Sequence, residues 1–201
     1  MKKTLFSIAL MYTVPALAQE DFLLQINDTV LSVQLDKPYQ LNVKGNLVRF
    51  KVSSRDTLTY DSKLYNFLYP KAFRVSHTNV DAGIEQISLL SAEGSGILIQ
   101  QYESLNPTSL NELMLTEMTK ESISYGFVST RTTYKRKLKS GQEIQVTRAE
   151  LRYKDDVNIY EITSIGKKDA GMIVVTMKMD DDKNTEGQKV IDLMWHSLML
   201  K

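Results

Sequence analysis

The sequence predicts an α+β fold in which an antiparallel β-sheet is flanked by two main helices and preceded by an N-terminal β meander. Three observations predict it. Short runs of alternating apolar and polar residues recur between turn signals along most of the chain, and two segments instead carry apolar residues at helical spacing behind capping residues. The order is strands, helix, strands, helix, which suits an α+β domain better than a parallel βαβ repeat.

Met1-Lys2-Lys3 opens the chain, an apolar stretch covers residues 5–14, and Pro15-Ala16-Leu17-Ala18 precedes the polar Gln19-Glu20-Asp21. These are the positive start, short apolar segment and A-x-A site of a secretory signal, with cleavage expected after Ala18 and a mature start at Gln19. About ten apolar residues make roughly 15 Å of helix, half of the ~30 Å core of a bilayer, so no anchor is expected to remain after processing. Ala16 and Ala18 supply the small side chains of the cleavage site, and Pro15 breaks the preceding helix. The short, lysine-only start points to a bacterial periplasm or to secretion. Residues 1–18 are therefore read as signal peptide, 19–56 as a β-rich extension and 57–201 as the α+β domain.

In the extension, residues 22–26, 30–35, 39–43 and 47–52 alternate as strands, broken at Asn27-Asp28, Asp36-Lys37-Pro38 and Lys44-Gly45-Asn46. A second set follows at 64–69, 73–77, 84–90 and 97–102. Ile97-Leu98-Ile99 is apolar on both parities, as a strand covered on both faces must be, which places it towards the middle of the sheet. The first helix is expected from Asn106-Pro107-Thr108-Ser109, with Ser109 and Glu112 as a capping box, Leu110, Leu113, Met114 and Met118 on its apolar face, and Gly126 as its left-handed stop. Strands resume at 128–138 and 144–153 around Ser140-Gly141. The apolar parity of the second of these switches between Val146 and Ala149, which suggests a β-bulge near Thr147. Residues 158–165 and 172–179 form a further pair across a loop at 166–171. Thr185 and Gln188 cap a closing helix whose apolar face is Val190, Ile191, Met194, Trp195 and Leu198.

The chain has no cysteine, which excludes a disulfide framework, a thiol nucleophile, a thiolate metal site and a lipidated cysteine. Loss of Lys2 and Lys3 from 25 basic residues against 24 acidic ones leaves a formal charge of −1, so neither nucleic acid nor an anionic membrane is expected as partner. His77 and His196 lack the spacing of metal ligands. Asp180-Asp181-Asp182, with Asn184 and Glu186, lacks the alternate spacing and glycine of a calcium loop and reads as a solvated turn before a capped helix. Gly94-Ser95-Gly96 is too short to cradle phosphate and reads as a hairpin turn. Glu112, Glu117 and Glu121 read as a solvent face, and Trp195 with its neighbouring methionines as core. No G-x-S-x-G elbow is present. No catalytic residue, metal or cofactor is expected.

One cluster carries a candidate site. Arg131, Lys135, Lys137 and Lys139 share one parity of their strand, and Arg148, Arg152 and Lys154 share one parity of the next. Paired across Ser140-Gly141 they are expected to form one positive face beside Tyr134 and Tyr153, suited to an acidic partner or anionic ligand. Glu143 and Glu150 lie among them, and such interleaved charge equally fits a solvated surface.

The segment Phe67-Leu68-Tyr69-Pro70-Lys71-Ala72-Phe73, the 97–102 strand feeding the helix at Ser109, and the closing Val190-Ile191-Asp192-Leu193-Met194-Trp195-His196-Ser197-Leu198 carry a further pattern. In it, residues 65–201 resemble the superfamily of small exported or accessory proteins that includes PsbP, DcrB and the Mog nuclear-import factors. The resemblance implies an α/β/α sandwich on an antiparallel sheet and a non-enzymatic accessory, adaptor or partner-binding role; it carries over no catalytic residue. Strands before Tyr60 fall outside it. The expected function is thus an exported, non-catalytic accessory or interaction protein of the bacterial envelope, binding a protein partner or envelope component, with an immunity or adaptor protein as its more specific form. The alternative is a periplasmic carrier of a small ligand or lipid, suggested by nine methionines and ten tyrosines.

Overall fold

A computed structural model describes residues 21–43, 45–179 and 185–201 of the chain. The expected signal peptide with Ala16 and Ala18, the mature start at Gln19, and the run Asp180-Asp181-Asp182 with Asn184 lie outside the described residues. The chain divides into two compact units, Met1–Ser54 and Arg55–Lys201.

In the first unit, β1 (Asp21–Ile26) pairs with β2 (Thr29–Gln34) and β3 (Pro38–Val43) pairs with β4 (Asn46–Lys51). These are two separate two-stranded sheets, not the meander expected. The reason lies at Asp36, which sits at φ 60° and is tied by Ser53 Oγ at 2.7 Å and by Lys51 at 3.3 Å. That left-handed corner turns the chain out of line with β2, and Pro38 opens β3 without an N–H to donate.

The second unit is α+β and its strand pairs are antiparallel. It comprises β5 (Thr57–Asp61), β6 (Tyr65–Pro70), β7 (Ser76–Asp81), β8 (Ile84–Leu90), β9 (Gly96–Tyr102), α1 (Asn111–Tyr125), β10 (Val128–Lys137), β11 (Glu143–Tyr153), β12 (Asp156–Lys167), β13 (Ala170–Lys178), α2 (Glu186–Ser197) and β14 (Met199–Leu200). The main sheet has seven strands in the order β10-β11-β12-β13-β9-β8-β7, and a smaller sheet has the order β14-β6-β5. β9 is an interior strand, as Ile97-Leu98-Ile99 predicts.

Several expectations need correction. β7 begins at Ser76 rather than Phe73; Phe73 and Val75 pack on the core from the preceding loop, while β7 itself is a polar, fully exposed edge whose sequence shows no alternation. β5 and the two-residue β14 carry too short a pattern to be foreseen. The loop expected at 166–171 is a tight turn, because Gly166 and Gly171 pair within the ladder. The first helix begins as a 3-10 turn, Pro107–Ser109, capped by Asn106, whose side chain accepts from the Thr108 N–H at 3.1 Å. α1 then starts with no side-chain cap, so the Ser109–Glu112 box does not form, and Leu113 is exposed; Leu115 and Thr119 are the helix's fully buried residues. Gly126 closes α1 at φ 119°, as expected. In α2 the Thr185 hydroxyl accepts from the Gln188 N–H at 3.2 Å, while the Gln188 side chain bonds Asp192 at 2.8 Å instead of closing the box.

No bulge interrupts β11. Its register with β10 is continuous from Val128↔Arg152 to Lys137↔Glu143. The parity switch has another cause: the sheet carries two apolar cores. Ile144 and Val146 join Ile97, Ile99, Met172 and Val174 in a core with Val190, Met194, Trp195 and Leu198 of α2 and with Tyr65 and Phe67 of β6. Ala149 and Leu151 join Tyr160, Ile162, Ile173 and Val175 in a second core with Leu115 of α1. Successive residues of a strand point to opposite faces, so β11 buries one parity under α2 and the other under α1.

Candidate functional site

The uninterrupted register sets charged residues in a row on the α2 side of the sheet. Arg148 of β11 lies opposite Glu161 of β12, and Glu161 opposite Thr176 of β13. Arg136 of β10 lies opposite Ile144, which belongs to the α2-side core. Glu161 is the focus of the row. Its side chain is only 10% exposed, and it accepts from the Tyr134 hydroxyl at 2.7 Å and from Arg136 Nη2 at 3.0 Å, with Arg148 Nη1 at 3.6 Å. Donors of this kind are what hold a carboxylate out of bulk water. Burial, followed by the hydrogen bond to Glu161, pushes the Tyr134 hydroxyl well above its usual range, so it acts as a donor here. Arg148 also reaches Glu150 at 3.1 Å, and Glu150 meets Arg152 at 2.6 Å. The Arg152 hydrogen bond, then that from Arg148, holds the Glu150 carboxyl below its ordinary value.

Helix α2 forms the opposite wall. Gly187 allows its first turn onto the β8–β9 hairpin: a Cβ there would lie 2.4 Å from Ser95 Cβ, and Ser95 Oγ in turn accepts from the Met179 N–H at 2.9 Å. Gly94-Ser95-Gly96 is therefore a hairpin turn, as expected, and also the seat of α2. About two helical turns further on, Trp195 lies under the Arg136 guanidinium, 4.3 Å from ring centroid to Cζ. Between helix and sheet is an open cleft of about 400 Å³, lined by Arg136, Arg148, Ile159, Glu161, Thr176 and Lys178 from the sheet and by Gln188, Ile191, Asp192 and Trp195 from α2. Three basic residues there face two acidic ones. Two buried nitrogens, Arg136 Nη1 and Trp195 Nε1, have no hydrogen-bond partner among the described residues.

The single positive face expected from the sequence does not form. Odd-numbered residues of β10 pair with odd-numbered residues of β11, so Arg131, Lys135 and Lys137 stand opposite Ala149, Gln145 and Glu143 on the α1 side, while Arg148 and Arg152 stand on the α2 side. Arg131 pairs with Glu112 of α1 at 2.6 Å and Lys135 with Glu143 at 3.4 Å. Lys139 lies in the turn beyond β10, and Lys154, at φ 54°, lies over the Tyr153 ring. Tyr134 and Tyr153 are likewise parted: Tyr153 packs tilted against Phe127 and edge-on against the exposed Tyr125, at 5.5 and 5.3 Å, on the α1 side. Arg136, Glu161 and Lys178 were missed. A carboxylate inside the apolar run Ile159-Tyr160-Glu161-Ile162, and an arginine on the same parity as Tyr134 and Leu138, are the signals that mark them.

The other candidates are scattered. His77 is exposed beside Tyr60, with ring centroids 5.9 Å apart, and His196 is exposed with Nδ1 2.6 Å from the Asp192 carbonyl. Among the described residues no group of three His, Asp or Glu side chains could hold a metal ion, and no helix is long and apolar enough to cross a membrane. A smaller apolar cleft of about 190 Å³ lies at the β12–β13 turn, with Leu64, Ile165, Met172 and Leu200 among its walls.

The class defined by this geometry is an antiparallel α+β protein with a charged cleft on one face of its main sheet. No family model matches the chain. No curated protein matches it. Among solved structures the chain is similar to the solution structure of cyanobacterial PsbP (CyanoP) from Synechocystis sp. PCC 6803, at 12% sequence identity, covering 75% of this chain and 95% of that chain with a TM-score of 0.48. That resemblance is weak, and no residue role is taken from it.

Proposed function

We propose that the chain is an exported, non-catalytic accessory or interaction protein of the bacterial envelope, folded as an α/β/α sandwich, that docks a protein partner or envelope component as an adaptor or immunity protein would. The signal pattern of residues 1–18 supports export. The observation that carries the docking reading is the α2-side cleft, where buried, hydrogen-bonded charges and an aromatic ring line an open surface. Arginine and tryptophan are among the side chains that most often anchor protein interfaces. Affinity purification of the tagged protein from native envelopes after mild cross-linking tests it. A stoichiometric partner and an N-terminus at Gln19 are expected; turnover of a substrate in a hydrolase screen would contradict the non-catalytic role.

A periplasmic carrier is the second reading, favoured by the apolar cleft around Leu64, Ile165 and Met172. Its volume of about 190 Å³ falls below the ~300–1,000 Å³ usual for small-molecule sites, which ranks it behind docking. Native mass spectrometry separates the two, since a carrier retains ligand mass.

A further inference from the structure

We infer that the first unit is a self-association module, in which the β1–β2 hairpin of one copy packs against the β3–β4 hairpin of a second copy of this chain. The inference stands on other residues than the docking reading above and does not rest on it.

The first unit is unfinished as a fold. Its strands form two separate two-stranded sheets, an arrangement that is marginal in water until further strands or a packed layer join it. Val33 is its one buried apolar side chain among the described residues, while Leu23, Val30 and Leu47 are 77%, 57% and 61% exposed. Units below ~40 residues commonly need disulfides, a metal or oligomerisation. The chain has no cysteine, and among the described residues no group of side chains could hold a metal ion. The apolar pattern asks for the same cover. Phe22-Leu23-Leu24 and Val30-Leu31 are apolar on both parities, as strands covered on both faces are. Leu24, Leu31 and Val33 are half-buried or buried on one face, whereas Leu23 and Val30, diagonal neighbours on the other, lie open.

Charge identifies the cover as a second copy. Residues 21–34 contain acids and no base, and residues 38–51 contain bases and no acid. Lys51 is spent on Asp36 at 3.3 Å, but Asp28 and Arg49 are both exposed and have no ion pair among the described residues. Opposite charges that do not meet within one chain can meet between two. The spacing agrees with this. Asp28 stands two residues before Val30, and Leu47 two residues before Arg49, so each hairpin carries a charge and an exposed apolar side chain on one parity. Antiparallel approach of the two segments sets Asp28 against Arg49 and Val30 against Leu47 together. A β1–β2 hairpin facing its own copy would meet no base. Each copy owns both halves, so the contact made once is repeated by symmetry and closes a dimer.

Sedimentation velocity of the chain from Gln19 to Lys201 over a dilution series reads the association. A reversible dimer is expected. Asp28→Arg and Arg49→Glu should each raise its dissociation constant about tenfold, because each sets like charges across both symmetric contacts. An equimolar mixture of the two variants should recover the dimer: the reversed charges face each other at one contact, and the original pair is kept at the other. Both positions are exposed, and a circular dichroism spectrum matching the unaltered protein reports that each variant is folded. A monomer at every concentration, a dimer untouched by either reversal, or a mixture no better than its components would each overturn the inference. A monomer that loses its envelope partner on Leu23→Lys would assign the same face to a different protein, and would overturn it equally.

Discussion

The two faces of the seven-stranded sheet are closed by different means. On the α1 side, Leu115 packs on Ala149, Leu151, Ile162 and Val175, and the ionic contact sits at the rim, where Arg131 and Glu112 are 38% and 68% exposed. On the α2 side a larger apolar core is joined by Glu161, buried among Tyr134, Arg136 and Arg148. Rim pairs contribute little to stability, while a buried carboxylate costs several kcal/mol of desolvation that only close donors offset. A sheet that needed only to fold could have closed both faces like the first. The second face retains charge beside an open cleft, which is the arrangement expected where a partner supplies the remaining contacts.

That contrast can be broken by substitution. Leu115→Ala removes the apolar anchor of α1 and should destabilise the second unit by about 2–5 kcal/mol in urea denaturation, with amide exchange along α1 rising most. Glu161→Gln takes the carboxylate partner from Arg136 and one of two from Arg148; with both arginines partly exposed the loss should be roughly 1–3 kcal/mol. Glu112→Gln, the matched change on the other face, should cost under about 0.5 kcal/mol by the same measurement. Equal effects at Glu161 and Glu112 would erase the distinction between the faces.

The pH response offers a finer comparison. The Glu150 carboxyl is lowered in the fold, by Arg152 first and Arg148 second, so its contribution to stability is present above its ordinary value of 4.5 and is lost as pH falls through the lowered value. Thermal melts of the unaltered protein should therefore lose more between pH 5 and acid conditions than melts of Glu150→Gln. Identical slopes would mean that the Arg148–Glu150–Arg152 chain does not persist in solution.

Much of this architecture was legible in the residues. Gly126 and Thr185 mark helix ends by chemistry that acts within a few residues, and Ile97-Leu98-Ile99 marks an interior strand by burial on both faces. Ser109 misled because Asn106, three residues earlier, wins the cap ahead of Pro107. The site was harder to read, since it depends on register: a shift of one residue between β10 and β11 decides whether Arg131 and Arg148 share a face. Apolar parity contained the answer. Val146 lies opposite Tyr134, so the even-numbered residues of both strands share the α2 side, and the switch at Ala149 announces a second core rather than a bulge.

The most direct test is a matched capture experiment, in which Arg148→Gln on the α2 side and Arg131→Gln on the α1 side remove the same charge from opposite faces. Recovery of the same envelope partner should fall about tenfold with Arg148→Gln and stay unchanged with Arg131→Gln. Equal losses, or a loss confined to Arg131→Gln, would contradict a docking surface on the α2 face.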